Sequence, residues 1–99
     1  MNSLSSIALS GLNTASLGLR VSAHNVANVS TEGFTRQELV RKPQASGGVS
    51  AELRKAPQAG GDLERDIVEQ LKLSYEYKAN ILSLKAEDER LGTLLDLSA

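Results

Sequence analysis

The chain of 99 residues lacks cysteine and tryptophan, and only 3% of its residues are aromatic. Without cysteine there is no disulfide framework, no thiolate metal site and no thiol nucleophile. With so few large rings, a core must be built from Leu, Ile, Val and Ala, which suits helix-on-helix packing. No apolar run approaches the roughly 20 residues that a membrane-spanning helix needs.

An excess of charge of one sign is also missing. Eleven basic and 12 acidic residues leave a formal net charge of −1. Neither nucleic acid nor an anionic membrane has an electrostatic footprint here, so we expect no nucleic-acid partner and no direct membrane insertion. The N-terminal stretch has no basic region before its apolar residues, which excludes a conventional cleaved signal peptide. A protein of this kind would leave the cytoplasm by another route.

A convergent set of reactive side chains is absent too. His24 is the only histidine, and we interpret it as a polar helix position. Asp88 lies between Glu87 and Glu89, but such carboxylates are more often solvated or paired across a helix interface than catalytic. No metal-ligand spacing and no phosphate-binding glycine motif occurs. The sequence therefore predicts no enzyme activity, no cofactor and no metal.

The first part of the chain has a helical period, which predicts a helix over residues 3–29. Small residues recur along one side of it: Ala8, Gly11, Ala15, Gly18 and Ser22. Each glycine costs about 1 kcal/mol of helix propensity relative to alanine. Close approach by another helix is the simplest physical reason to accept that cost. Asn2 and Ser3 offer capping oxygens at its start.

The last part predicts a second helix over residues 62–97, with Asp62 as its N-cap. A heptad pattern defines two seam positions. One holds Ile67, Ser74, Ile81, Asp88 and Leu95, and the other holds Leu63, Gln70, Tyr77, Leu84 and Leu91. The charged residues Glu69, Lys72, Glu76, Lys85, Glu87 and Arg90 are expected on the opposite face. Leu73, Tyr75 and Leu82 fall off the seam, either as incidental exposure or as a second apolar face for another subunit.

Between the helices, two alternating runs at residues 35–41 and 49–54 predict a β-hairpin with a loose turn. The predicted fold is mainly α, with long N- and C-terminal helices in an antiparallel, coiled-coil-like pair and a short central hairpin. We divide the chain into an N-terminal helix with its stop motif (1–33), a hairpin and linker (34–61) and a C-terminal helix (62–99). The two helices form one core domain.

Residues 25–37 resemble the N-terminal signature of flagellar rod, hook and hook-associated proteins. The segment reads Asn-Val-Ala-Asn-Val-Ser-Thr-Glu-Gly-Phe-Thr-Arg-Gln. Residues 10–15 resemble the family's Ser-Gly-Leu-Asn-Ala-Ala, and residues 62–71, 77–80 and 88–97 are similar to its C-terminal helix. His24 and Glu32 depart from the pattern, where Asn and Pro are common.

The resemblance implies a structural subunit of the bacterial flagellar basal-body rod, because the middle segment is too short for the outer domains of hook proteins. It implies self-assembly with copies of itself and other rod and hook proteins through the terminal helices. It also implies export by the flagellar type III apparatus without a cleaved signal, to the periplasm-spanning rod. The alternative is a non-axial helical-hairpin export chaperone or adaptor that works as a small soluble oligomer.

We expect two groups of residues at subunit interfaces or in the family motif. The first lies in the joint between helix and hairpin, and the second lies on the C-terminal helix. They are Asn25, Asn28, Thr31, Gly33, Phe34, Arg36 and Gln37, and Tyr77, Asn80, Leu84, Leu91 and Leu95. Local capping and turn formation is the competing interpretation of the joint residues.

Overall fold

The computed structural model describes residues 3–98, without the side chains of Ser3, Leu95, Leu97 and Ser98. Its elements in chain order are α1 (Ser3–Ala27), β1 (Gln37–Pro43), β2 (Val49–Lys55) and α2 (Leu63–Ser98). The prediction of a mainly α fold, with two long packed helices and a short antiparallel hairpin, is confirmed. The Asn2 cap and the interface role of the Leu95 side chain lie outside what the structure describes.

The two helices run antiparallel and meet in layers seven residues apart. Gly18 of α1 lies against Leu73 of α2, and Gly11 lies against Asn80. Toward the other end, the Asn25 side chain bonds to Asp66. Steps of seven residues along both helices are the repeat of a coiled coil.

Small residues on α1 allow this close packing. A methyl group built on Gly18 would lie 2.7 Å from Cδ1 of Leu73, and one on Gly11 would lie 2.6 Å from Oδ1 of Asn80. Both distances are shorter than real Cβ contacts. Ala15 is 1% exposed and Ser22 is 2% exposed on the same side. The predicted reason for the two helical glycines, the close approach of another helix, is therefore confirmed.

The predicted seam of α2 is half wrong. The positions at Ile67 and Ile81 are exposed, and the residues one step earlier, Asp66 and Leu73, are the buried ones. Polar residues explain the error. The true inner positions, spaced by seven, are Asp66, Leu73, Asn80 and Glu87, and only Leu73 is apolar, so they form no apolar stripe in the sequence. The second predicted position is partly correct, since Gln70, Tyr77 and Leu84 are half-buried whereas Leu63 and Leu91 are exposed.

Two more expectations about α2 need correction. Leu73, which the heptad places off the seam, is 1% exposed and is the largest apolar side chain of the core. The charged face is not all solvent-facing, because Glu87 is buried and Glu69 and Glu76 are half-buried toward α1 and the hairpin.

The hairpin lies along α1 and is tied to it at both ends. Its strands pair from Gln37 with Lys55 to Pro43 with Val49. Residues 44–48 form the turn, which is closed by a hydrogen bond from Gln44 N–H to Gly48 O at 2.8 Å. Next to this turn, Val49 N–H donates to Oγ of Ser10 in α1 at 3.1 Å.

The resulting molecule is a thin slab. Its principal extents are 63 × 25 × 13 Å, and the smallest is close to the 10–12 Å diameter of a single helix. A layer one helix thick has no enclosed interior. The buried apolar core of the described residues is accordingly small and consists of Ala8, Ala15, Val21 and Leu73.

Candidate functional site

The turn after α1 is built by the polar residues of the predicted motif. Asn28 Nδ2 donates to His24 O at 2.9 Å and so caps one of the last carbonyls of the helix. Thr31 Oγ1 donates to Asn28 Oδ1 at 3.2 Å. Gly33 has a φ of 74°, a backbone conformation that favours glycine. The ring of Phe34 then meets His24 edge to face, with centroids 5.8 Å apart.

Asn25 joins the end of α1 to the start of the hairpin. Its side-chain Nδ2 donates to Gln37 O, and Gln37 N–H donates back to Asn25 Oδ1, both at 2.8 Å. One side-chain amide thus acts as a short piece of strand beside β1. Asn25 is only 1% exposed, so no water competes for these bonds.

Arg36 connects the same joint to α2. Its guanidinium makes a two-point pair with Asp66, with Nε 3.3 Å from Oδ2 and Nη2 bonded to Oδ1. Nη1 also donates to Glu38 at 3.3 Å, and Glu38 in turn accepts a bond from Arg54 across the hairpin. We call Asn25, Arg36, Gln37, Glu38 and Asp66 the polar clamp.

The polar clamp is buried and satisfied. Asp66 is 2% exposed and Arg36 is 8% exposed. No buried side-chain nitrogen or oxygen among the described residues lacks a hydrogen-bond partner. Hydrogen bonding to Asp66 raises the pKa of Arg36 above its ordinary value, so this charge is permanent in the physiological range. Charged bidentate pairs of this kind position chain segments precisely enough to define one geometry.

The polar clamp brings three of the predicted site residues together and adds two that we did not predict. Asn25, Arg36 and Gln37 come from the predicted set, whereas Glu38 and Asp66 do not. An arginine in a joint between elements commonly pairs with a carboxylate. The spacing of seven residues between Asp66 and Leu73 indicates that both lie on the same side of α2. That signal is weak because the position holds polar residues elsewhere along α2.

The predicted residues of α2 divide between two environments. Tyr77, Asn80 and Leu84 are half-buried, and Asn80 lies against Gly11 of α1. Leu91 is 42% exposed. Thr31 and Gly33 at the joint are exposed as well. Contact with another subunit stays a prediction for all of these positions.

The side of α2 that points away from α1 is largely apolar. We define the outer stripe as Ile67, Val68, Leu71, Tyr75 and Leu82, which recur at helical spacing. All five are at least half exposed, and Val68, Tyr75 and Leu82 are each 65% exposed. Large apolar side chains exposed together are a feature of surfaces that contact another molecule.

Other kinds of site have little support in the described part of the chain. No group of three or more His, Asp or Glu side chains is placed to hold a metal ion there. Neither of the two helices, over the residues described, combines the length and hydropathy of a membrane span. An open cleft of about 330 Å³ beside the polar clamp is lined by charges of both signs, including Arg65, Glu69 and Lys72.

The fold, the polar clamp and the outer stripe define a class of protein. It is a thin two-helix chain in which a buried polar network fixes the packing of the helices and the hairpin, and one face of the second helix is uncovered. Residues 6–35 match the model of the flagella basal body rod protein family. The match covers most of α1 and the turn that follows, and it confirms the resemblance to that family. It supports a component of the flagellar basal-body rod as the general function. No curated protein matches the chain.

Proposed function

We propose that this protein is a structural subunit of the flagellar basal-body rod, which assembles with copies of itself and with other rod and hook proteins through its terminal helices. The family match over residues 6–35 supports the rod. The outer stripe of α2 is the observation that carries assembly, because its five large apolar side chains are at least half exposed in the single chain.

The energy available at the outer stripe is large on the scale of this small subunit. Full burial of a Leu, Ile or Val side chain contributes about 1.5–3 kcal/mol. Several such side chains are exposed together here, whereas the subunit's own core holds few. A neighbour that covers the stripe therefore supplies stabilisation that the slab cannot supply itself. Contacts between different surfaces of successive subunits do not close, and they build a tube.

The motif residues have a specific part in this proposal. Asn25, Arg36 and Gln37 set the angle between α1, the hairpin and α2 through the polar clamp. They shape the subunit, and we propose that the exposed turn at Thr31 and Gly33 touches the neighbour. Leu91 and Leu95, on the last turns of α2, are proposed to do the same.

We further propose that the chain reaches the rod through the flagellar type III export apparatus without a cleaved signal, and that it crosses the periplasm as part of the rod. Its partners are then the export apparatus and other axial proteins. Nucleic acid and direct membrane insertion play no part in this proposal. The protein acts as a building element and not as an enzyme, so no cofactor is involved.

A fractionation experiment tests the function. Cells that express the chain with a small epitope tag are separated into purified basal bodies, culture medium and cytosol. We expect the chain in the basal bodies, in an amount per basal body that washing in high salt does not reduce. Recovery from the cytosol alone, as a small soluble oligomer, would favour the export chaperone or adaptor instead.

A further inference from the structure

Charged residues accompany the outer stripe of α2 in a definite order. Glu64 lies before its first residue, Lys78 lies between Tyr75 and Leu82, and Lys85 lies just after Leu82. All three side chains are exposed. Among the described residues, none of the three takes part in an ion pair within the subunit. They are therefore available to a partner, together with the apolar residues between them.

These charges share a heptad position with a leucine. Glu64, Leu71, Lys78 and Lys85 follow one another at intervals of seven, and apolar pairs such as Ile67 with Val68 and Ile81 with Leu82 lie between them. Seven-residue spacing is that of a coiled-coil seam. The outer side of α2 thus carries a second seam, which extends over about 33 Å at 1.5 Å per residue.

We infer that this second seam pairs with the same seam of a second copy of the chain, in an antiparallel arrangement with two-fold symmetry centred between Ser74 and Tyr75. In that register Glu64 faces Lys85 of the second copy, and Ile67 faces Leu82 of the second copy. The two-fold axis repeats each contact. A parallel pair would instead place Glu64 on Glu64 and each lysine on its own equivalent.

The order of the charges thus matches a second copy of the chain as the partner, and it matches only the antiparallel orientation of the two helices. Opposite charges face each other only when the copies are antiparallel, and like charges across a helix interface are unfavourable. Leu71 then meets Lys78 of the second copy, whose alkyl stem can lie along the leucine while its ammonium group stays in water.

The chain exposes a large surface for its mass. The chain exposes 6844 Å² of surface, whereas a compact monomer of 10.5 kDa exposes about 5,400 Å². A standard interface takes about 800 Å² from each partner. The chain thus exposes more surface than a compact monomer of its mass, and the pairing would cover part of it.

The inference deepens the proposed function, since it names a partner for the same outer stripe. A two-fold pair is closed, so it cannot grow into a tube, and it competes with the contact that the rod requires. The dimer is accordingly a form of the free protein, and incorporation into the rod must open it.

Sedimentation equilibrium of the purified full-length chain tests the pairing. We expect a monomer–dimer equilibrium for the native chain. The dissociation constant should be about tenfold higher for Glu64→Lys and for Lys85→Glu, since each substitution creates two like-charge contacts in the dimer. The double variant Glu64→Lys with Lys85→Glu should return the dissociation constant to within about threefold of the native value, because the charges are exchanged across the interface.

Leu82→Asp on the outer stripe should abolish the dimer, and Leu53→Asp, at an exposed leucine of the hairpin, should leave it unchanged. Circular dichroism verifies that each variant is folded. A native chain that stays monomeric at all concentrations, an open-ended polymer, or a double variant no better than the single ones would overturn the pairing. If the purified chain is monomeric but is found in basal bodies, the pairing is wrong and the proposed function stands. If the chain dimerises but is absent from basal bodies, the proposed function is wrong and the pairing stands.

Discussion

Leu71 and Leu73 lie two residues apart on α2 and have opposite surroundings. Leu73 is 1% exposed, packed against Gly18, whereas Leu71 is 59% exposed on the outer stripe. The inner side of α2 that includes Leu73 also buries Asp66 and Glu87, and the outer side carries most of its large apolar residues. For a monomeric soluble helix the usual distribution is the reverse.

The difference between the two sides separates two tasks. The inner side uses small residues and a satisfied polar network, which define one geometry but bury little apolar area. The outer side leaves large apolar side chains exposed in the single chain. A chain built this way has a defined shape and a small apolar core of its own, and under the proposed function contact with another molecule adds to its stabilisation.

The largest effect is expected when the inner side loses a charge. Asp66→Ala removes the two-point partner of the buried Arg36 and leaves it only the single bond to Glu38, so we expect the free energy of unfolding to fall by up to about 3–5 kcal/mol. Urea denaturation followed by circular dichroism measures this.

The matched control is the double variant Arg36→Met with Asp66→Leu, which removes both charges and fills the space with apolar side chains. It should cost much less than the single change. An equal loss in both variants would mean that packing, and not the unpaired charge, is responsible.

Removing one leucine side chain from each side sharpens the comparison. Leu73→Ala should cost about 2–5 kcal/mol, since it leaves a cavity against α1. Leu71→Ala should change the stability of the dilute monomer by less than about 0.5 kcal/mol, because its side chain is already in water. Thermal unfolding at low protein concentration distinguishes them, and similar losses would contradict the assignment of the two sides.

One substitution at two glycines should give opposite signs. Gly92→Ala meets open space, with no atom within 4 Å of the added methyl group, so it should gain up to about 1 kcal/mol of helix propensity. Gly18→Ala gains the same propensity, but its methyl group would lie 2.7 Å from the buried Leu73. Overpacking costs about 1–3 kcal/mol, so the net change should be a loss. Denaturant midpoints decide the signs, and a gain at both sites would refute tight packing at Gly18.

The smallest effect is expected at the ion pair between Arg41 of the hairpin and Glu76 of α2. Both side chains are about one-third exposed. Such pairs contribute roughly 0–1 kcal/mol, and salt weakens them. Arg41→Met should therefore lower the unfolding free energy by less than about 1 kcal/mol, with the difference vanishing at high salt. A larger, salt-independent loss would show that the arginine acts mainly by packing.

The sequence carries the element types and the antiparallel helix pair well. Helical periodicity and the small residues at Gly11 and Gly18 predict both helices and their close contact. The alternating runs around Pro43 and Val49 predict the hairpin. These features depend on local patterns, which a single sequence displays directly.

The face of α2 was harder to predict, because the heptad rule assumes that the apolar stripe is the buried one. In this chain the larger apolar side chains Ile67 and Ile81 point away from α1, and Asp66 takes the inner position. Whether a carboxylate is buried depends on a partner, and Arg36 is brought to it only by the turn and hairpin. That pairing is a tertiary property with no local signature.

We propose that the outer stripe serves assembly, whereas the inner side of α2 defines the shape of the chain. The most direct measurement is the amount of the Leu71→Asp chain in purified basal bodies, when it replaces the native chain, with Leu53→Asp as the control. We expect Leu71→Asp to be folded, with an unchanged circular dichroism spectrum, but absent from the basal bodies, and we expect Leu53→Asp to be incorporated. Folded Leu71→Asp protein in basal bodies at the native level would contradict it.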